Sequence, residues 1–269
     1  VFVLDGPQVL PAFAPEAAVL LLRQQGPLRI SGRPIMGAPV SSAGMEEAEL
    51  CRLAACLHAG GTRTLGLGMS LGDLCMDEGF YPAVFAQLAA AAARLREKTG
   101  LTVRIFDLGG GFGVSCRPDC PGPDLSACAE ALRAQTCALP EALQGVQLSM
   151  SPGRFLAAGG GVLVCRVVAV KPGPTAVLDV SAAQCLRLEK RGAYHAAAAL
   201  RTAGRPPLLQ QLTTLEQGAP FARQVLPQLR VGDPVIIRML GADGRSFSCA
   251  SERCPAYLLR ADGTIEPIE

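Results

Sequence analysis

Apolar positions in the first part of the chain form short continuous runs that alternate with longer runs at helical spacing. Short leucine-rich or β-branched runs are typical of buried parallel strands, and the longer runs are typical of helices that cover such a sheet. The pattern therefore predicts repeated strand–helix units. The predicted strands are 1–4, 28–31, 64–69, 101–106 and 146–150, and the predicted helices are 8–25 with a break at Pro15, a helix capped by Ser41 or Ser42 that ends at Leu57, 81–98 and 124–138.

The pattern changes near residue 160. Beyond it, β-rich runs are separated by turns that contain Gly, Pro and Asp, as in all-β domains. These runs are 162–171, 175–180, 233–239 and 256–260, with 194–202 as the one candidate helix. The pattern therefore predicts a run of strand–helix units from a parallel barrel over residues 1–160 and an antiparallel β-barrel or sandwich domain over residues 161–269.

Charge and hydropathy narrow the range of partners. Lysine and arginine number 25 against 23 acidic residues, and the two signs are interspersed, so the sequence offers no basic face for nucleic acid or a membrane surface. The longest apolar stretches, 15–22 and 88–93, are too short to cross a bilayer, which needs about 20 residues. The composition predicts a cytoplasmic protein whose partners are small molecules.

Eleven cysteines are scattered through apolar segments without a repeated spacing. This distribution indicates reduced thiols, mostly in the core, of a cytosolic protein. Zinc is the alternative, with Cys116 and Cys120 or Cys249 and Cys254 as ligands. Neither spacing is the tight pair that structural zinc prefers, and the chain has only two histidines, so no metal site is predicted.

A glycine cluster follows the predicted strand 101–106, in the sequence Asp107-Leu108-Gly109-Gly110-Gly111-Phe112-Gly113. Bare backbone N–H groups at the end of a strand are a recurrent way to hold a phosphate, because no side chain keeps the ligand away. The alternative is a tight strand-to-helix turn without a ligand. The spacing matches neither a P-loop nor a good dinucleotide-binding fingerprint.

Five motifs occur in a compatible order and spacing over nearly the whole chain. They are 107–113, Ser151-Pro152-Gly153-Arg154-Phe155-Leu156-Ala157, Gly192-Ala193-Tyr194-His195, Val231-Gly232-Asp233 and Gly241-Ala242-Asp243-Gly244. Together they resemble the pyridoxal-phosphate-dependent decarboxylases of the alanine-racemase-like fold, with diaminopimelate decarboxylase closest and ornithine decarboxylase next. The resemblance implies that residues 1–160 are a partial (β/α)8 barrel, with about five strand–helix units present and the first strands absent, and that a β domain follows. It also implies pyridoxal 5'-phosphate as cofactor and a head-to-tail dimer with active sites at its interface.

The resemblance also implies roles for particular residues. The backbone N–H groups of the glycine loop would hold the cofactor phosphate, with Gly72 beside it and Arg154 as a cation. Arg187 falls where the family grips a substrate carboxylate, although Leu188 replaces a proline, and a solvated strand-end charge is the alternative. Glu216 is the candidate for the acidic residue that the C-terminal domain contributes, without the preceding cysteine. The loop glycines are Gly109, Gly110, Gly111 and Gly113.

Other positions depart from the family pattern. The family's Schiff-base lysine lies in a Tyr-x-x-Lys context on the first barrel strand, and none of Lys98, Lys171 and Lys190 has that context. Ser151 stands where an acidic residue pairs with the pyridine nitrogen, and a serine cannot keep that nitrogen protonated. The remaining changes are Ser70 for a ring-stacking histidine and Asp73 and Asp243 for phosphate-side hydroxyls.

Two main hypotheses follow. The first is an amino-acid decarboxylase acting on diaminopimelate or a similar diamino acid, with the lysine supplied by an upstream segment or another chain. The second is a catalytically inactive homologue that serves as a regulatory or scaffold partner. A third interpretation, binding of a phosphate ligand without catalysis, shares the glycine loop. The expected partner is a second copy of the chain, a paralogue, or a missing N-terminal segment that covers the apolar sheet edges.

Overall fold

The computed structural model describes residues 2–5, 20–25, 29–30, 33–34, 44–69, 75–115, 121–181, 183–184, 195–217, 220–242 and 254–268. The chain forms two compact units. The first contains Val1–Ser115 and Gly122–Phe155, and the second contains Cys116–Pro121 and Leu156–Glu269. The assignment of 1–160 and 161–269 as domains stays a prediction.

A five-stranded parallel sheet organises the first unit, with the strand order β1-β2-β5-β6-β7. Parallel pairing places the carboxyl ends of all its strands on one edge of the sheet. Its strands are β1 (Phe2–Leu4), β2 (Leu20–Arg23), β5 (Thr64–Gly68), β6 (Thr102–Asp107) and β7 (Gln147–Ser149), and a separate pair is formed by β3 (Arg29–Ile30) and β4 (Arg33–Pro34).

The helices of the first unit begin and end where local chemistry favours it. They are α1 (Glu47–Ala59), α2 (Phe80–Thr99) and α3 (Leu125–Cys137), with a 3-10 turn at Glu141–Leu143. The short helix α4 (Gly153–Ala157) begins in the first unit and ends in the second. The Asp124 side chain caps α3 by accepting the N–H groups of Ser126 and Ala127 at 2.9 and 3.0 Å. Gly100 ends α2 in the left-handed region at φ 76°, which glycine tolerates without strain.

Alternate residues of the parallel strands point into one core beneath the helices. Leu22, Leu67 and Phe106 are fully buried there, together with Phe85 and Leu88 of α2. Each such side chain contributes roughly 1.5–3 kcal/mol by leaving water. Because side chains alternate along a strand, the intervening residues of β2, β5 and β6 occupy the opposite face of the sheet. Among the described residues, no helix is long and apolar enough to span a membrane.

The second unit is a six-stranded sheet with the order β10-β13-β8-β9-β11-β12, beside a two-stranded hairpin of β14 and β15. Its pairs are antiparallel except β9 with β11, which are parallel, so the predicted antiparallel sheet is in fact mixed. Its strands are β8 (Leu163–Lys171), β9 (Thr175–Leu178), β10 (Ala197–Ala199), β11 (Pro207–Thr213), β12 (Ala222–Pro227), β13 (Pro234–Ile237), β14 (Ala256–Leu259) and β15 (Ile265–Ile268).

The fold class is confirmed: a parallel α/β part is followed by a β-rich part. Three local predictions are wrong. Leu20–Arg23 was expected in a helix and is a strand, because this leucine run lies between two neighbouring strands and buries residues of both faces. Ala197–Ala199, expected in a helix, pairs with β13, because tertiary pairing overrides the helical propensity of alanine. The helix expected after Ser41 or Ser42 begins only after Glu46. The strand predicted at 28–31 is present at Arg29–Ile30, but it pairs outside the main sheet.

Candidate functional site

The glycine loop begins at the carboxyl end of β6. The Asp107 carboxylate accepts the N–H of Gly109 at 3.1 Å, and the loop then pairs with Cys75 on both sides of Phe112. In that pairing the backbone N–H of Cys75 donates to the Gly111 carbonyl at 2.9 Å, and the Cys75 carbonyl accepts the Gly113 N–H at 2.6 Å. Within the part of the chain that the structure describes, no hydrogen bond engages the N–H groups of Gly110 and Gly111. The loop therefore offers two backbone donors to an anion.

The segment that follows β7 lies directly against this loop. The Leu108 N–H donates to the Ser149 carbonyl at 2.8 Å, and the Ser151 N–H donates to the Gly109 carbonyl at 2.9 Å. A side-chain carbon on Gly110 would lie 2.7 Å from the Ser151 carbonyl oxygen. The structure thus brings the glycine loop and the Ser151 motif together, as two loops at the carboxyl edge of adjacent parallel strands.

An aromatic stack connects the loop to α4 and α2. The rings of Phe112 and Phe155 meet edge to face at 5.3 Å between centroids, and Phe112 stacks on Tyr81 at 4.9 Å. The ring contact of Phe155 holds α4 beside the glycine loop. Arg154 is the preceding residue of α4, so its backbone lies beside the loop as well. Arg154 is half-buried and makes interactions of its own. A guanidinium and free N–H donors on adjoining segments are the groups that bind a phosphate.

The polar groups buried behind the loop are uncharged. Burial, followed by the neighbouring Cys128 and Asp107, raises the pKa of Tyr81 to about 12. Burial also raises the pKa of the Cys75 and Cys128 thiols above the ordinary value. These thiols are therefore inert core groups rather than nucleophiles, since reactivity requires the thiolate. Of the described cysteines, Cys75, Cys128 and Cys165 are buried whereas Cys56 and Cys137 are exposed, so the thiols lie in the core less often than the sequence predicted.

The lysine in the first unit does not face the glycine loop. Lys98 lies near the end of α2, where its Nζ is 3.6 Å from Oε1 of Glu47, and Arg94 binds the same carboxylate at 2.8 Å. Lys171 belongs to the second unit and donates to the side chain of Gln217. Lys190 lies outside the described residues.

Several residues named from the sequence fall outside the described part of the chain. They are Ser70, Gly72, Asp73, Cys116, Cys120, Arg187, Asp243 and Cys249. Glu216 is described: it is exposed in the second unit and accepts the Ser181 hydroxyl at 2.6 Å. His195 is buried, with its Nδ1 3.3 Å from the Arg238 carbonyl, as expected of a structural histidine. Among the described residues, no cluster of three or more His, Cys, Asp or Glu could hold a metal ion.

The sequence analysis missed an ion pair on the same edge of the sheet. Arg23 ends β2, and its Nη1 lies 2.9 Å from Oδ1 of Asp5, which follows β1. Strand register places Arg23 beside Gly68, Gly68 beside Asp107, and Asp107 beside Ser149. Asp5 directly follows an apolar strand and Arg23 ends one. A charged residue at the end of a strand indicates a position on the sheet edge, but for Arg23 this indication was lost because β2 was predicted to be a helix.

Comparison with known proteins shows which proteins this chain is similar to. Residues 43–158 match the model of the pyridoxal-dependent decarboxylase, pyridoxal binding domain. Protein TabA of Pseudomonas amygdali pv. tabaci is 30% identical over 235 residues, which are 84% of this chain and 55% of that protein. Diaminopimelate decarboxylase of Campylobacter jejuni is 33% identical over 172 residues, 60% of this chain and 41% of that enzyme. The chain thus spans about half the length of the curated relatives it matches.

Solved structures agree on the fold. Diaminopimelate decarboxylase from M. jannaschii superposes with a TM-score of 0.81 at 19% identity, covering 94% of this chain and 61% of that one. The Helicobacter pylori enzyme complexed with L-lysine gives a TM-score of 0.77 at 20% identity, covering 93% and 63%. The cofactor of the matched domain is pyridoxal phosphate, and the two N–H donors of Gly110 and Gly111 beside α4 suit its phosphate group. By its fold, this chain is similar to the diaminopimelate decarboxylases, and its residues 43–158 match the pyridoxal binding domain of the pyridoxal-dependent decarboxylases.

Proposed function

We propose that the first unit binds pyridoxal 5'-phosphate through its phosphate group, in a protein that acts on an amino acid of the diaminopimelate type as a carboxy-lyase. The observation that carries this proposal is the pair of unengaged N–H groups at Gly110 and Gly111, on a loop that lies against the Ser151 segment. The named activity of the diaminopimelate decarboxylases supports the substrate class.

Some of these residues bind the phosphate directly, and others give the loop its shape. Gly110 and Gly111 donate backbone N–H groups, and Arg154 supplies positive charge. Gly109 and Gly113 shape the loop, because their own N–H groups are used by Asp107 and Cys75. When bound, pyridoxal phosphate accepts the electrons left behind as a carboxylate departs as carbon dioxide. Gly72 near the phosphate, Arg187 toward a substrate carboxylate and Glu216 toward a distal substrate group remain predictions.

A second candidate function is a non-catalytic cofactor-binding homologue, which works as a homodimer or with a paralogue. Two observations favour it. Lys98 is paired with Glu47 on the helix layer instead of being available for a covalent link to the cofactor. Ser151 has a hydroxyl where the family pattern has an acid, so protonation of the pyridine nitrogen is not maintained. Catalysis then requires a lysine from elsewhere.

Cofactor binding tests the proposal directly. The 269-residue chain is titrated with pyridoxal 5'-phosphate and the affinity is measured by absorbance, for the wild type, Arg154→Gln and Arg133→Gln. Arg133 is exposed on α3 and serves as the matched control. We expect Arg154→Gln to weaken binding by about tenfold or more, since hydrogen bonds to a charged group contribute about 1.5–3 kcal/mol. Equal affinities for all three proteins would refute the phosphate site.

Borohydride reduction separates the two functions. The chain is reduced in the presence of cofactor, and the mass of every co-purifying polypeptide is recorded. An adduct on a second polypeptide, together with carbon dioxide release from diaminopimelate, supports the decarboxylase. Reversible binding without an adduct or turnover supports the non-catalytic homologue. An adduct on Lys98 would contradict the position assigned to that residue, because its Nζ faces Glu47.

A further inference from the structure

Arg23 carries hydrogen-bonding capacity that its ion pair does not use. Its Nη1 engages both oxygens of Asp5, at 2.9 and 3.2 Å. Among the residues that the structure describes, neither Nε nor Nη2 of Arg23 has an acceptor. The side chain is only 24% exposed, so these donors are partly withdrawn from water. Nη1 fixes the orientation of the guanidinium, and the edge formed by Nε and Nη2 can bind a planar anion through two hydrogen bonds.

The position of Arg23 connects it to the proposed cofactor site. Register places Arg23 beside Gly68 and Gly68 beside Asp107, the residue that opens the glycine loop. A side-chain carbon on Gly68 would meet Leu21 at 2.8 Å and Asp107 at 3.1 Å, which places Gly68 on the same face as both. Neighbouring strands lie about 4.8 Å apart, so Arg23 and the start of the loop are separated by roughly 10 Å.

We infer that Arg23 is a carboxylate-binding residue for the substrate, at the carboxyl edge of β2. The inference rests on the proposed function, and it names the group of the amino acid that this residue would bind.

The charges around Arg23 favour a monoanion over a phosphate. Asp5 already neutralises part of the guanidinium charge, and its carboxylate would repel a dianion more strongly than a single negative charge. The free edge of Arg23 presents two donors, which match the two oxygens of a carboxylate. Leu21, on the same strand face, is buried and adds an apolar wall beside the donors.

The test compares L-lysine with cadaverine, which has the same carbon chain and two amines but no carboxylate. Binding of each is measured by calorimetry to the full chain, with and without pyridoxal 5'-phosphate. We expect the wild type to bind L-lysine about tenfold more tightly than cadaverine, from hydrogen bonds to a charged donor. In Arg23→Gln this preference should disappear, whereas Arg94→Gln, which breaks an exposed pair on the helix layer, should keep it.

A second variant distinguishes loss of the binding site from loss of folding. Asp5→Asn removes the competing carboxylate, so the preference for L-lysine should rise by about threefold, a gain that an unfolded protein cannot produce. Competition by inorganic phosphate at the same site would indicate a general anion site and overturn the assignment to a carboxylate.

The outcomes for Arg23 and for the cofactor site are separate. If cofactor binds and Arg23→Gln keeps the preference for L-lysine, the inference is wrong and the proposed function stands. If cofactor does not bind but the preference depends on Arg23, the carboxylate site stands and the proposed function fails.

Discussion

Gly110 and Ser151 are packed so closely that no side chain can be accommodated between them. A carbon atom added to Gly110 would lie 2.7 Å from the Ser151 carbonyl oxygen and 3.5 Å from its hydroxyl oxygen. The two residues belong to loops that follow neighbouring parallel strands, and the Ser151 N–H donates to the Gly109 carbonyl. The glycine at this position is thus required for packing as well as for access of a ligand to the backbone.

This contact predicts that Gly110→Ala destabilises the chain and weakens cofactor binding together. Overpacking of a close backbone contact costs about 1–3 kcal/mol, because one loop must move to admit the methyl group. Movement of the loop also displaces the Gly110 and Gly111 N–H groups from the phosphate. Urea unfolding gives the stability change, and titration with pyridoxal 5'-phosphate gives the affinity.

Gly122→Ala is the matched control for this prediction. Gly122 lies in the loop before α3, and nothing is within 4 Å of an added carbon there. We expect a change within about 0.5 kcal/mol. Equal effects of the two substitutions would show that the contact with Ser151 is not the cause.

The Asp233 carboxylate makes the stability of the second unit dependent on pH. Arg205 donates to both of its oxygens, with Nη2 to Oδ1 at 3.1 Å, and the Arg230 N–H donates at 2.7 Å. These bonds hold the pKa of Asp233 below its ordinary value. A lowered folded-state pKa stabilises the fold above the unfolded-state pKa, and this contribution is lost as the pH falls through the folded-state pKa. Stability should therefore decline below about pH 4.

Asp233→Asn tests this source of pH dependence. At neutral pH we expect a loss of about 2 kcal/mol, because hydrogen bonds to a charged group are removed and Arg205 keeps its charge. Urea unfolding between pH 3 and pH 7 should give a flatter profile for the variant than for the wild type. The control is Glu47→Gln, which breaks the exposed pair with Arg94 and should cost less than about 1 kcal/mol. An unchanged profile in Asp233→Asn would contradict the assignment.

Tyr81 contains a buried hydroxyl without a hydrogen-bond partner among the described residues. Its ring makes the stack on Phe112, and a phenylalanine would keep that contact. We expect Tyr81→Phe to stabilise the chain by about 1 kcal/mol, because the cost of burying an unpaired polar group is removed. Tyr257→Phe, at a side chain that is 60% exposed, should change stability by less than about 0.5 kcal/mol. Destabilisation by Tyr81→Phe would indicate that the hydroxyl has a polar partner.

The order of strands and helices from β5 to β7 and the position of the glycine loop could be predicted from the sequence. Local rules sufficed for α2 and α3, because Gly100 and Asp124 mark a helix end and a helix start. The resemblance of the motifs also predicted a pyridoxal-dependent decarboxylase, and residues 43–158 match the pyridoxal binding domain of those enzymes. These features depend on short-range chemistry or on the order of motifs along the chain.

Which residues share the sheet edge depended on strand pairing that the sequence does not show. β2 was hidden because a leucine run between two strands has no period that distinguishes it from a buried helix. The parallel pairing of β9 with β11 was hidden as well, because it joins segments far apart in sequence. Register then decided that Arg23, Gly68 and Asp107 form one row, since a shift of a single residue would move each to the opposite face.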